Sequence, residues 1–185
     1  MMKNALRFAA ALLLLSACKA KTENPEAPAS PEVVAPAAAP SGPIADNEIS
    51  TEEKATLGGH VYTITLERRV ATERPTVADW EGDEYYDNIC EVTVDRDGAT
   101  WVRRVFTLDD FRPYLKKDEL KGARLLGMAY DGERSDAGRL MFGAQTGQAG
   151  MEGCPAFCVA LATADGSVSI APDMLQDIAG GEMGD

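Results

Sequence analysis

Apolar and polar residues alternate with a period of two over several short stretches of this chain. That spacing places one face of a β-strand against a core. Val61-Tyr62-Thr63-Ile64-Thr65-Leu66 follows Gly58-Gly59 and is β-branched and aromatic. Over residues 88–94, Cys90, Val92 and Val94 share one side, while Glu91, Thr93 and Asp95 share the other. Asp95-Arg96-Asp97-Gly98 is turn chemistry, with Gly98 free to take positive φ. Residues 100–106 then return, so 88–107 are predicted to form a hairpin. Further strands are expected over 123–130, 140–144, 156–163 and 167–170, with Asp131-Gly132 and Asp165-Gly166 as turns between them. About seven short strands at this spacing predict a mainly β fold, a small antiparallel β-sandwich or barrel-like sheet.

One helix interrupts the strands. Thr107-x-x-Asp110 resembles a capping box, with Asp in place of the usual Glu. Pro113 would break an interior hydrogen bond of a helix that began at Thr107. A start near Asp110 tolerates it, because first-turn amides have no partner there. The expectation is a helix of two to three turns, with Phe111, Leu115 and Leu120 toward the sheet.

The first 47 residues carry no such pattern. Lys3 and Arg7 precede a short apolar run over residues 8–15 that ends in four leucines. This run is shorter than the roughly 20 residues a membrane-spanning helix needs, so it reads as an export signal. Leu15-Ser16-Ala17-Cys18 resembles the lipobox of bacterial lipoprotein precursors. That resemblance implies cleavage of residues 1–17, acylation of Cys18 and attachment to a membrane through it. Lys19 follows the cysteine where an Asp would signal retention, which by the same analogy favours the outer membrane over the inner. Between 18 and 47 lie six of the ten prolines and no aromatic residue. Such a composition cannot bury enough apolar surface to offset its ordering entropy, and predicts a disordered tether. The expected organisation is a signal peptide (1–17), a lipid-anchored Pro/Ala-rich linker (18–47), a single β-rich domain (48–180) and a short tail (181–185).

Charge narrows the partners. The chain has 185 residues, with 18 Lys+Arg against 30 Asp+Glu and a net charge of -12. Export would remove Lys3 and Arg7, leaving 16 against 30, or -14. No cluster of Lys and Arg is present to neutralise phosphates, which argues against nucleic acid.

Gly58-Gly59…Tyr62, Tyr86-Asp87-Asn88, Phe106-Thr107-x-x-Asp110-Phe111-x-x-Tyr114-Leu115, Gly143 and Asp165-Gly166-Ser167 appear in that order. Together they resemble a family of uncharacterised bacterial lipoproteins carried as a domain of unknown function, over about residues 58–175. The resemblance implies an envelope lipoprotein and supplies no catalytic residues. Cys154 and Cys158 are not part of that pattern.

Candidate chemistry is sparse. Cys90, Cys154 and Cys158 remain once Cys18 is acylated. An odd number in an exported domain raises a disulfide of some connectivity. Buried or unpaired thiols, and redox or metal roles, are the other readings. Cys154 and Cys158 have three residues between them, one more than the thioredoxin-type motif, and Cys90 is on the apolar side of its strand. His60 is the only histidine, and no paired zinc spacing exists. Asp95-Arg96-Asp97-Gly98 fails the calcium-loop pattern, because Thr100 stands at the required glycine and Phe106 at the terminal Glu. With one histidine and no activating motif around it, no catalytic, cofactor-binding or metal site is assigned. Trp80-Glu81-Gly82-Asp83-Glu84-Tyr85-Tyr86-Asp87 sets three aromatics among four acids. Trp80, Tyr85 and Tyr86 are the candidate binding loop for a basic protein or a glycan of the envelope. Folding back to close the end of the β core is the plainer use of the same aromatics. The expected function is a non-catalytic envelope lipoprotein acting by binding or structure. An inhibitor or immunity-like module for a basic partner is the alternative, and a thiol-active or hydrolytic enzyme the weaker one.

Overall fold

Antiparallel hairpins build the domain. The computed structural model describes residues 42–148, 151 and 153–173; the signal segment, Cys18, most of the linker and the tail lie outside them. Strand β1 (Ile49–Leu57) turns into β2 (His60–Ala71) through Gly58 and Gly59, at φ 58° and 84°. Strand β5 (Asp87–Arg96) turns into β6 (Ala99–Phe106) through Asp97 and Gly98, at φ 55° and 83°. Paired left-handed residues match the twist of a two-residue hairpin, which is why Gly and Asp stand there. These four strands form one antiparallel sheet, ordered β1-β2-β5-β6. Strands β7 (Arg124–Asp136), β8 (Arg139–Gly147), β9 (Ala156–Ala162) and β10 (Val168–Pro172) form a second, ordered β10-β9-β8-β7. A two-stranded ribbon pairs β3 (Val77–Ala78) with β4 (Glu84–Tyr85).

The core lies between the two larger sheets, and the period-two pattern decides which residues enter it. Tyr62, Ile64 and Leu66 of β2 and Cys90, Val92 and Val94 of β5 come from one sheet. Leu140, Phe142 and Ala144 of β8 and Phe157, Val159 and Leu161 of β9 come from the other. Registers put apolar against apolar: Leu66 opposes Val92, Ile64 opposes Val94, and Phe142 opposes Val159. Each large side chain so buried contributes about 1.5–3 kcal/mol. The mainly β, antiparallel architecture with a short helix is the one the strand pattern predicts.

The helix is shorter than expected. Helix α1 (Leu108–Phe111) does start at Thr107, whose hydroxyl accepts from the Asp109 amide at 3.2 Å, while the Asp110 carboxylate accepts from the Thr107 amide at 2.9 Å. The chain then tightens into a 3-10 turn over Arg112–Tyr114, so Pro113 never sits inside an α-helix. Phe111 is fully buried against Phe157, ring centroids 5.1 Å apart, and Leu115 packs on the core. Leu120 falls in a turn beyond the helix.

Three further differences have plain causes. Strand β1 escapes the pattern because Ser50, Thr51, Glu52, Glu53 and Lys54 are exposed on an edge strand, where charge is tolerated and protects the edge. The turn expected at Asp131-Gly132 is instead at Ala137-Gly138. The β7–β8 register shifts between Asp131 and Asp136, and the strand runs on through Gly132. Residues 44–47, counted with the linker by composition, are docked on the domain. The Ile44 amide donates to Glu84 O at 2.7 Å, and the Tyr86 amide to Ile44 O at 3.0 Å.

The hairpin turns gather at one end. Gly58 lies against Ala137, and Thr163 bonds to both Ala137 O and Gly138 O. Because the strands are antiparallel, α1, the β3–β4 ribbon, the N-terminal arm and the segment before β9 collect at the other end. Among the described residues, no helix is long and apolar enough to cross a membrane.

Candidate functional site

The aromatic-acidic loop is a rigid tip between β3 and β4. One oxygen of Asp79, Oδ1, accepts from the amides of Glu81, Gly82 and Asp83 at 2.9, 2.9 and 3.0 Å. Gly82 takes φ 93°, which closes the turn. The three candidate residues part company here. Trp80 is 68% exposed. Tyr85 folds inward, its ring 4.5 Å beneath the Arg124 guanidinium, and the half-buried Tyr86 is held through its backbone. Asp79, Glu81 and Asp83 bring carboxylate oxygens within 4.8 Å of one another. Asp79 is already committed to three amides, so the turn accounts for this cluster.

The three described cysteines, Cys90, Cys154 and Cys158, are dispersed and free. Cys90 faces the core, where burial pushes its thiol up to about 12. Cys158 is on the reverse face of β9, paired with Gly143 and Ala171. Burial raises its thiol too, although the Arg134 guanidinium 3.0 Å away opposes the shift. Cys154 lies just before β9, its Sγ 3.2 Å from Met151 O, and burial again raises its thiol. From Pro155 onward the chain pairs with β8 as extended strand. Four extended residues separate two Cα atoms by about 13 Å, roughly twice the reach of a disulfide. No pair of the three is bridged, and for Cys154 and Cys158 the strand geometry is the reason.

His60 serves the hairpin turns. Its Nδ1 lies 2.6 Å from Asp97 Oδ2, while Asp97 Oδ1 accepts from the Val61 amide at 3.0 Å. The amide first, then His60, holds the Asp97 carboxyl below its ordinary range. Both side chains are about half exposed. The pair ties the β1–β2 turn to the β5–β6 turn.

Sequence reasoning missed a buried polar junction, although Tyr86-Asp87-Asn88 sits at its centre. Asp87, Asn88 and Arg124 are each almost wholly buried. Asp87 Oδ1 accepts from the amides of Asn88 and Leu125 at 2.8 and 3.0 Å, and Arg74 Nε lies 3.3 Å from its Oδ2. Asn88 Nδ2 donates to Asp46 Oδ2 at 2.7 Å and to Leu125 O at 2.9 Å. Arg124 meets Asp46 at 3.1 Å and Tyr86 O at 3.0 Å. The junction joins β5 to β7 and clamps the N-terminal arm to both.

The other missed feature is a cleft of about 370 Å³ beside Arg68. Ile49 from β1, Leu66 from β2, Cys90 from β5, Met128 from β7 and Phe157 from β9 give it a mostly apolar lining. Arg68 reaches β7 and the arm, donating to Leu126 O and Asn47 O at 2.7 Å each. Its Nε–H, shut off from solvent, meets no acceptor among the described residues. The period-two pattern placed Leu66 and Cys90 on the inner face, but nothing in it signalled that sheet and edge would leave a gap there.

The family model of a domain of unknown function, DUF4738, matches residues 30–170, and the chain belongs to that family. No curated protein matches its sequence.

Proposed function

We propose that this DUF4738 member is a bacterial envelope lipoprotein, held by acylated Cys18 to the outer membrane, whose β-rich domain acts by binding and not by catalysis. The tetrapeptide Leu15-Ser16-Ala17-Cys18 carries the reading, because a small-residue cleavage site followed by cysteine after a short apolar run is what lipid attachment requires. Several acyl chains hold firmly where one does not. The disposition of the reactive residue types supports the non-catalytic part. Burial raises all three described thiols, and His60 is paired to a turn aspartate. Metabolic labelling with an alkynyl fatty acid tests the anchor: the chain labels and Cys18→Ala does not. Persistent labelling of Cys18→Ala would sink it.

The exposure of Trp80 favours a second reading, in which the Trp80–Asp87 loop blocks a basic envelope protein as an inhibitor or immunity-like module does. A Trp needed only to close the core would be buried; this one stands in solvent on a stiff acidic tip. Salt-sensitive capture of an identified basic protein, weakened by Trp80→Ala, is the expected result. Capture indifferent to Trp80→Ala removes the loop from the account.

A further inference from the structure

We infer that the cleft beside Arg68 is a binding site for a small amphiphilic carboxylate, its tail among Leu66, Met128 and Phe157 and its carboxylate on the Arg68 guanidinium. The inference rests on the reading of the domain as a binding module and names the class of ligand.

Charge carries the first part of the argument. In a chain with 30 acids and 18 bases, a half-buried arginine ordinarily finds a carboxylate. Arg74, Arg124 and Arg134 each do, as do the exposed Arg103, Arg104, Arg112 and Arg139. Arg96 stacks on Trp101 and bonds to Thr163 O, and Arg69 is exposed. Arg68 has two backbone carbonyls and an unmet Nε–H, with no described carboxylate in ion-pair range. A guanidinium fork is matched to a carboxylate, which it can hold through two parallel bonds.

Shape carries the second. About 370 Å³ lies at the low end of small-molecule sites, which run from roughly 300 to 1,000 Å³. The space suits a short-chain acid and is too small for a full membrane lipid. Among the described residues the far wall offers no second free cation, because Arg134 is bound by Asp131 and by Asp173, the latter at 2.9 Å. The carboxylate therefore has one seat, and the apolar lining takes the rest.

Calorimetric titration of the full chain carrying Cys18→Ala, so that no attached acyl group competes, tests this with octanoate, 1-octanol and acetate. Octanoate binds, and octanol and acetate are each at least about tenfold weaker, since each lacks one half of the match. Arg68→Gln weakens octanoate by about tenfold or more. Met128→Ala, which strips an apolar wall of the cleft and leaves Arg68 in place, weakens octanoate as well, with circular dichroism confirming that both variants fold. No octanoate binding to the folded chain overturns the inference, as does equal binding of octanol or unchanged binding in both variants. Binding that appears only once residues 174–185 are removed would make that segment the occupant and overturn it too. A failure here in a chain that still captures a partner protein leaves the binding reading standing. That reading falls on a different result, chemical turnover of a substrate by the domain.

Discussion

Arg124 Nη1 lies 3.1 Å from Asp46 Oδ2, joining the first residue of β7 to the N-terminal arm across 78 residues of sequence. The guanidinium is 2% exposed and the carboxylate 22%. Arg124 is thus a buried cation whose described carboxylate partner comes from the segment that leads to the tether. Removing that partner leaves the charge with a carbonyl and the Tyr85 ring. Asp46→Ala should therefore cost about 2–4 kcal/mol, somewhat below a fully buried pair because Asp46 is partly solvated. Asp46→Ala with Arg124→Met should cost less than the sum of the two single changes. Urea unfolding of the four chains reads this, and additivity would show that the pair is not coupled.

Gly147 holds φ 149°, and a Cβ there would stand 2.5 Å from Cys154 Sγ. Gly147→Ala should destabilise the domain by about 1–3 kcal/mol from backbone strain and overpacking together. Adding Cys154→Ala should return only the part due to the clash, because the backbone strain stays. Full rescue by the second change would assign the whole cost to the sulfur.

Trp80 and Tyr85 should separate in a stability measurement. Trp80 is exposed, so Trp80→Ala should shift stability by no more than about 0.5 kcal/mol. Tyr85 lies under Arg124, so Tyr85→Ala should cost about 1–3 kcal/mol in lost packing and cation–π contact. A large cost at Trp80 would make it a structural residue and end its case as a recognition tip.

Stability should fall at both ends of the pH range. Folding lowers the pKa of Asp97, through the Val61 amide and then His60, and of Asp109, through Arg74 and then Arg112. A carboxylate with a depressed folded pKa contributes stability that is present above its unfolded value and lost as pH drops through the folded one. Urea midpoints should therefore decline below about pH 4, and less steeply in Asp97→Asn. The Cys90 thiol is shifted the other way, so its contribution is present below about pH 8.5 and lost as pH rises toward the folded value of about 12. Cys90→Ser should flatten the alkaline limb; an unchanged limb would assign it to other groups.

Thiol alkylation should follow burial. In the folded chain at pH 8, Cys90 resists iodoacetamide until urea opens the core, while Cys154 and Cys158 react, though slowly, because burial raises them as well. Fast labelling of either at neutral pH would revive a thiol-active role. A gain in mass of two hydrogens on reduction would reveal a bridge.

Local pattern was enough wherever one face of a strand repeats in the sequence. The alternation at Cys90, Val92 and Val94, and the turn residues Asp97-Gly98, could only be read as a half-buried hairpin, and that is what forms. Strand β1 could not be read this way, because Glu52, Glu53 and Lys54 carry no core signal and pair only because β2 offers an edge. The same holds for residues 44–47: their composition belongs to the linker, and the arm docks because Arg124 and Arg68 supply partners contributed by β7 and β2.

The sequence by itself determined the strand-rich class, most of the hairpin turns and the cap at Thr107, since each depends on residues a few positions apart. Tertiary structure decided which aromatic of the loop stands free, why three cysteines stay apart, and that Asp46, Asn88 and Arg124 meet. It also left Arg68 at the edge of a cleft with a donor unmet. Those outcomes depend on how two sheets stack and how far their edges part, and contacts across 37 or 78 residues leave no trace in a local pattern.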